Sequence, residues 1–214
     1  MTDKEHLWVA GILALVGVPF AIAGGIIALW VPQRINQRMA TVAALPLTTV
    51  ATFAAAGDEV LVLGEIADRT PAPSQGLLIY QEYRQVIEDG ETEWQLVTTH
   101  TPDFWVAVPD GLIKVEGNYQ LEQVARDIQD GDRRTAGFTV GHSVLVLGQP
   151  TQRRNPPTIQ ATLISADNKE SYLEYLRASR LFNWWFGGLF LGLGILLTGA
   201  AGAIALKLGG GDRL

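Results

Sequence analysis

The sequence has no cysteine among its 214 residues. This absence excludes disulfide bonds, thiol catalysis, iron–sulfur clusters and zinc sites built on thiolates. Histidine is scarce as well, because His6, His100 and His142 lie far apart and form no HxxxH or HxH pair. The GxSxG, Walker, GxGxxG and HExxH motifs are also missing. We therefore expect no catalytic residues, no metal ion and no cofactor.

Positive charge is in deficit. The chain has 16 Lys and Arg against 22 Asp and Glu, a formal net charge of −6. The charges at the two ends nearly cancel, so the acidity belongs to the middle region. A surface that binds nucleic acid needs an excess of Lys and Arg to displace counterions. Nucleic acid is therefore not an expected partner.

One acidic cluster resembles a calcium-binding loop but lacks its spacing. Asp127, Asp130 and Asp132 lie around a glycine, yet no Glu follows at the twelfth position. We expect a solvated acidic turn whose charge is offset by Arg133 and Arg134.

Several aromatic residues of the middle region are compatible with a base-stacking platform on a β-barrel. They are Tyr80, Tyr83, Trp94, Phe104 and Trp105. The acidic charge opposes that function, and aromatic residues on strands ordinarily belong to the core. We expect these side chains to be core residues.

Two long uncharged stretches lie near the ends of the chain, at residues 7–30 and 182–206. At about 1.5 Å per residue, each would cross the roughly 30 Å hydrocarbon core of a bilayer as a helix. A secretory signal has a shorter apolar core of about 7–15 residues, so we expect an uncleaved anchor. Indole rings favour the headgroup boundary, and these stretches are flanked by Trp8, Trp30, Trp184 and Trp185.

Small residues recur four positions apart in both stretches, a spacing that lets helix backbones approach closely. They are Ala21, Gly25, Gly188, Gly192, Thr198 and Gly202. Glycine is also simply frequent in membrane helices, which is the alternative explanation. We expect the two helices to pack as a hairpin, with self-association or a membrane protein partner as a further interaction, and Pro19 to kink the first helix. Two spans would place both termini on one side, and the distribution of Lys and Arg does not decide which side.

The middle region changes to short β runs with turn signals between them. After a helical extension at residues 31–45, we expect a barrel- or sandwich-like β domain at residues 46–166. The predicted strands cover residues 59–66, 76–87, 93–99, 104–108, 112–116, 143–148 and 158–164. Turns are expected at residues 71–74, 109–111, 130–131 and 155–157, with a hairpin turn at 88–91.

One pattern occurs twice in this domain. GDEVLVLG at residues 57–64 returns as GHSVLVLG at residues 141–148. Two equivalent strands of one barrel or sandwich would produce this repeat, and so would chance in a sequence rich in Val and Leu. The glycine that ends each copy predicts a bend or a bulge.

Helical spacing returns at residues 167–181, with Asp167 or Asn168 as the predicted N-cap. No helix breaker separates this linking helix from the second apolar stretch. We expect one continuous helix, followed by a short tail at residues 207–214. The β domain would then lie close to the bilayer.

The order of these elements resembles the GIDE family, whose β domain is called BAM, for "beside a membrane". The likeness covers residues 46–185. It is carried by VLGEI at 62–66, GLLIYQEYR at 76–84, GHSVLVLG at 141–148, IQATLIS at 159–165 and the aromatic approach to the last helix at 172–185. The best-known members are ubiquitin ligases of the mitochondrial and plastid outer envelopes.

The sequence departs from those ligases in one respect that bears on function. Their RING finger needs eight Cys and His zinc ligands after the second span, whereas here eight residues follow Leu206 and none is cysteine. The resemblance therefore implies the RING-less prokaryotic form, in a bacterial cell membrane and without ubiquitin transfer.

The function predicted from these features is a membrane-tethered, non-catalytic binding or scaffolding module. Its partners would be the lipid bilayer and a protein or lipid at the membrane surface. A small accessory subunit of a larger membrane complex is the alternative, and an unrecognised enzyme is the third possibility.

Overall fold

The computed structural model describes residues 3–69, 76–88, 90–152 and 156–209. The predicted turn at 71–74, Asp89 of the hairpin turn, residue 155 of the last turn and residues 210–214 of the tail lie outside the described residues. The chain divides into two compact units. Val42–Leu173 forms one unit, and the segments up to Thr41 and from Glu174 form the other. As predicted, two long apolar helices flank a β-rich region.

The N-terminal helical segment is continuous from α1 (Asp3–Gly25) through a π-helical turn (Ile26–Trp30) into α2 (Val31–Ala44). Pro19 lies inside α1 without ending it. The C-terminal helix, α4 (Lys169–Gly209), has 41 residues, so the predicted linking helix does run without a break into the second apolar stretch. Both helical segments are long and apolar enough to cross a membrane, and only 17% and 11% of their most apolar windows are buried.

The β-rich unit begins with a short helix, α3 (Val50–Phe53), and continues with ten strands among the described residues. The strands are β1 (Val60–Ile66), β2 (Leu77–Glu88), β3 (Glu91–His100), β4 (Phe104–Val108), β5 (Gly111–Glu116), β6 (Gln120–Glu122), β7 (Arg126–Asp130), β8 (Arg133–Thr139), β9 (Ser143–Gln152) and β10 (Thr158–Ala166). All seven predicted strands are present, whereas β6, β7 and β8 are not predicted.

Five of these strands close into a barrel in the order β1-β4-β5-β10-β9, with β9 pairing again with β1. Neighbouring strands are antiparallel except for β5 and β10, which run parallel. This order, with one parallel pair, is that of the OB-fold. The barrel alternative of the predicted fold class is therefore the correct one.

The repeated sequence pattern corresponds to two neighbouring barrel strands. In the antiparallel pair β1–β9, Val62 lies opposite Val146 and Val60 lies opposite Gly148. A bulge in β10 lies beside Gly148, between Ala161 and Leu163. An added Cβ at Gly148 would collide with the backbone carbonyl of Gln160. The predicted irregularity is thus found next to Gly148, on the partner strand. It is not found at Gly64, where β1 continues to Ile66 and its pairing with β9 shows no shift.

Alternating residues of the barrel strands point inward and form the core, as a period of two requires. The largest buried side chains include Phe53, Phe104, Phe138, Ile113 and Ile159. Burying one such side chain contributes about 1.5–3 kcal/mol. The short helix α3 takes part through Phe53, which is fully buried in this cluster.

A second sheet has the order β3-β2-β8-β7. It contains the acidic segment that the sequence predicts to be a solvated turn. The predicted turn is too long. Only Gly131 and Asp132 form the turn, and the flanking residues pair as β7 and β8, with Asp130 opposite Arg133. The strand escapes prediction because β7 carries a single apolar residue, Ile128, and so shows no alternation.

Polar contacts hold the two ends of the β-rich unit together. The Lys169 ammonium donates to the carbonyl oxygens of Ala43 and Leu45, at 3.0 and 2.7 Å. It thereby satisfies carbonyl groups at the C-terminus of α2, where a cation is favourable. The hydroxyl of buried Tyr172 donates to the Glu122 carboxylate at 2.9 Å. The first turn of α4 is thus fixed to this unit.

Candidate interaction surface

The two long apolar helices meet at glycines spaced seven residues apart. An added Cβ at Gly17 would lie 2.7 Å from the Thr198 hydroxyl, and one at Gly24 would collide with the backbone of Leu191. Such glycines allow two helix backbones to come into direct contact. Close to this contact, the rings of Phe20 and Phe190 stack with their centroids 5.2 Å apart.

The face predicted from the four-residue spacing is only partly the face that packs. Ala21 and Thr198 lie in the contact, because the Cβ positions of Gly194 and Gly17 point at them. The other four residues do not lie in the contact between these two helices, because an added Cβ would meet nothing within 4 Å: Gly25, Gly188, Gly192 and Gly202. A four-residue step drifts about 40° around a helix, whereas a seven-residue step drifts only about 20°. Seven-residue spacing therefore keeps contacts aligned along a long helix pair.

The four predicted anchor residues are all exposed: Trp8, Trp30, Trp184 and Trp185. Trp8 and Trp30 are 22 positions apart, which corresponds to about 33 Å along a helix. The guanidinium of Arg34 lies 3.7 Å from the centroid of the Trp30 ring, in a cation–π contact. Trp184 and Trp185 meet edge to face, with ring centroids 5.4 Å apart.

The ionisable residues considered from the sequence have structural partners. The His100 ring packs against Tyr80, with centroids 5.2 Å apart. The His142 ring accepts the backbone N–H of Thr139 at 3.0 Å. Within the described ranges, no group of three or more His, Cys, Asp or Glu residues is placed to hold a metal ion.

The acidic cluster is likewise engaged in an ion pair. The Arg134 Nε lies 3.0 Å from both carboxylate oxygens of Asp127. This hydrogen bonding holds the pKa of Asp127 below its ordinary value. Arg134 also lies over the Tyr83 ring, 5.7 Å from its centroid.

Past its pairing with β8, β2 continues with β3 as a two-stranded hairpin. The register places Tyr83 opposite Leu96 and Gln85 opposite Trp94, so these side chains share one face. Ile87 extends that face toward the end of the hairpin. We call the side chains of Tyr83, Ile87, Trp94 and Leu96 the hairpin surface.

The hairpin surface is apolar and accessible. Ile87 is 79% exposed and Leu96 is 48% exposed, whereas Tyr83 and Trp94 are half-buried. The prediction that the aromatic residues belong to the core is therefore correct for Phe104. The other four aromatic residues are only partly buried: Tyr80, Tyr83, Trp94 and Trp105. β2 and β3 belong to the second sheet. β2 is fully buried only at its first residues and β3 nowhere, which a local sequence pattern does not reveal.

Strand β3 also presents an open edge. Among the described residues it pairs only with β2, and no residue of β3 is fully buried. A bulge at Val97, between the pairs Glu82–Thr98 and Tyr83–Leu96, turns Leu96 and Thr98 to opposite faces. An open edge with an apolar face can bind an added strand through main-chain hydrogen bonds and side-chain pockets.

Acidic residues surround the end of the hairpin. Glu88 and Glu91 close it, and Glu93 follows on β3, all of them exposed. Charge at an exposed strand end opposes edge-to-edge pairing of identical chains, because like charges would face each other. The same charge favours a partner that carries Lys or Arg around an apolar centre.

Neither protein-family models nor curated proteins match this sequence. The resemblance to the GIDE family therefore stays a prediction.

Proposed function

We propose that this chain is an integral membrane protein whose two spans tether a non-catalytic β domain that binds a protein partner through the hairpin surface. The observation that carries the proposal is the apolar face of the β2–β3 hairpin beside the open edge of β3. The resemblance of the order of elements to the GIDE family agrees with such a binding module. Both termini would lie on one side of the membrane.

The helix pair supports the membrane tether. Most of the apolar surface of its two helices is exposed, including Leu15, Leu29, Leu189 and Leu196. Exposed apolar area costs about 25 cal/mol per Å² in water, and lipid removes that cost. The exposed tryptophans lie at both ends of the first apolar stretch and at the start of the second, positions that fit the headgroup boundary.

The position of the hairpin in the fold also supports a binding function. β2 and β3 lie in the connection between β1 and β4, the first two strands of the barrel. In OB-folds the corresponding loop is one of those that bind ligands. This is an analogy between folds and does not identify the partner.

The proposal is tested with the full-length chain, purified in mild detergent from its native membranes. Leu96→Glu puts a charge on the hairpin surface, and Gln95→Glu puts the same charge on the opposite face of the same strand. We expect a reproducible partner that is retained by wild type and by Gln95→Glu and lost from Leu96→Glu. Equal retention by both variants would place the interaction elsewhere.

The alternative function, an accessory subunit of a larger membrane complex, rests on the outward faces of the helices. Gly188 and Gly192 have open space around their Cβ positions. Changing both to Leu therefore leaves the helix pair itself undisturbed. Loss of the partner from this variant, with retention by Leu96→Glu, would favour the accessory subunit.

A further inference from the structure

A groove of about 590 Å³ lies beside the start of α2, in the unit that contains the apolar helices. Its lining includes Arg34, Gln37, Arg38 and Thr41, with Leu176 of α4 as an apolar wall. The four α2 residues are spaced i, i+3, i+4 and i+7, so they share one face of the helix. Sites for small molecules have volumes of about 300–1,000 Å³, and this groove falls in that range.

The charge of this region is opposite to that of the whole chain. From Trp30 to Thr41 the sequence contains two arginines and no Asp or Glu, although the chain has a net charge of −6. On α4, Arg177 and Arg180 lie in the same unit, with Glu174 as the nearby acid. Arg180 donates to the Asn36 side chain at 3.1 Å and so links the two helices here.

The depth of the groove follows from the position of Trp30 at the end of the apolar stretch. Arg34 and Arg38 lie about 6 and 12 Å further along the helix. The headgroup layer extends roughly 5–7 Å beyond the hydrocarbon core on each side. In a bilayer, the Cα of Arg34 would therefore lie within that layer. The Cα of Arg38 would lie about 5–7 Å outside it, and its side chain would lean back toward the membrane, because helical side chains tilt toward the helix N-terminus.

We propose that this groove binds the phosphate group of an anionic phospholipid. The inference rests on the proposed membrane tether. Two guanidinium groups one helical turn apart can donate several charge-assisted hydrogen bonds to phosphate oxygens. The Gln37 amide and the Thr41 hydroxyl add neutral donors, and Leu176 closes one wall of the groove. The contact with Trp30 restrains the Arg34 guanidinium at the mouth of the groove.

A general attraction between basic residues and an anionic membrane is the rival explanation, and it depends on charge and not on geometry. The variant Gln33→Arg/Arg34→Gln separates the two. It keeps the net charge and changes the depth by one residue, but turns the charge about 100° away from the groove. Arg177→Gln is a second control, because it removes an exposed charge on α4 that does not line the groove.

The measurement is native mass spectrometry of the full-length chain in detergent, titrated with short-chain phosphatidylglycerol, phosphatidylcholine or inorganic phosphate. We expect wild type to prefer phosphatidylglycerol, and Gln33→Arg/Arg34→Gln to bind it at least about tenfold more weakly. Arg177→Gln should weaken the binding of phosphatidylglycerol by no more than about threefold. The proposed site would be refuted if Gln33→Arg/Arg34→Gln bound phosphatidylglycerol as tightly as wild type. It would also be refuted if Arg177→Gln lost as much affinity for this lipid as Gln33→Arg/Arg34→Gln.

Inorganic phosphate distinguishes the source of the anion. If it displaces phosphatidylglycerol and binds with the same dependence on Arg34, the ligand is soluble phosphate and the lipid assignment fails. Alkaline carbonate extraction of the same variants separates this failure from failure of the tether. A chain that stays in the membrane pellet but shows no lipid preference refutes the site alone, whereas release of wild type refutes the tether itself.

Discussion

Gly24 of α1 lies against the backbone of Leu191 on α4, with no room for even a methyl group between them. Gly25, the next residue, has open space around it and ordinary helical dihedral angles. Substitutions at Gly24 and at Gly25 can therefore be compared. Both replace a glycine in a helix, but only the one at Gly24 crowds the contact between the two helices.

We expect Gly24→Ala to lower the free energy of unfolding by about 1–3 kcal/mol, because the methyl group forces the two backbones apart. Gly25→Ala should be neutral or stabilising by up to about 1 kcal/mol, since alanine has the higher helix propensity. Thermal or chemical unfolding of both variants in detergent measures the difference. Equal effects of the two substitutions would contradict the assigned helix contact.

The Asp110 carboxylate, in the turn between β4 and β5, caps the short helix α3. It accepts the backbone N–H groups of Val50 and Ala51, at 3.0 and 2.8 Å. The hydrogen bond from Ala51 is the main cause that lowers the pKa of Asp110 below its ordinary value of 3.8. A lowered folded-state pKa stabilises the protein above the unfolded-state pKa, and this contribution is lost as the pH falls through the folded-state value.

We therefore expect Asp110→Asn to be less stable than wild type at neutral pH. The gap should close below about pH 3.9, as the wild-type carboxylate becomes protonated. Urea unfolding at a series of pH values checks this, with Asp68→Asn, at an exposed residue in a turn, as the control. A gap that stayed constant down to the lowest pH would show that the carboxylate charge is not the cause.

Lys169 binds the carbonyl groups at the C-terminus of α2. Lys169→Met keeps most of the aliphatic chain and removes the donors, so it should cost about 1 kcal/mol of unfolding free energy. Glu170→Gln, at the exposed position beside it, should change stability by less than about 0.5 kcal/mol. Amide hydrogen exchange at residues 43–47 gives a local measurement. Unchanged exchange in Lys169→Met would contradict the capping role.

The barrel strands are predictable from the sequence because they are short apolar runs, rich in Val and Leu, that are bounded by turn signals. Val62 and Val146 point into the same core from neighbouring strands, and the same local pattern occurs around each. Strand β7 is not predictable in this way, since a strand with little buried surface need not carry apolar residues at every second position. An apolar sequence pattern predicts a strand only where the strand buries side chains. A strand that is stabilised mainly by backbone pairing shows no such pattern.

The helix contact was only partly predictable for a different reason. Glycines lie on both the inward and the outward faces of α4, as Gly194 and Gly192 show. Small size permits a close approach but does not require one, so composition cannot select the face. The hairpin surface is not predicted because the exposure of Tyr83 and Trp94 depends on how far the β2–β3 hairpin extends past β8, which is a property of the topology.

If the end of the β2–β3 hairpin serves binding, it should contribute little to stability. None of the described residues between Val86 and Glu93 is fully buried. The Gln85 N–H donates to Asp132 on the β8 side, so the next pair, Val86 and Glu93, is the hydrogen-bonded type that a tight turn needs. Replacing residues 87–92 by Asn-Gly would therefore close a two-residue hairpin at that pair. We expect the free energy of unfolding to change by less than about 1 kcal/mol, because no core contact is removed.

The shortened chain should lose the partner that wild type retains, although Trp94 and Leu96 are still present, because Ile87 and the first residues of the open edge of β3 are gone. Val62→Ala is the contrasting variant, since it removes buried methyl groups from the barrel and should cost about 1–3 kcal/mol while leaving the hairpin intact. Stability and partner retention should thus respond to different variants. A large loss of stability on shortening would mean that the hairpin end packs on the protein itself, and the open face would then no longer argue for a partner.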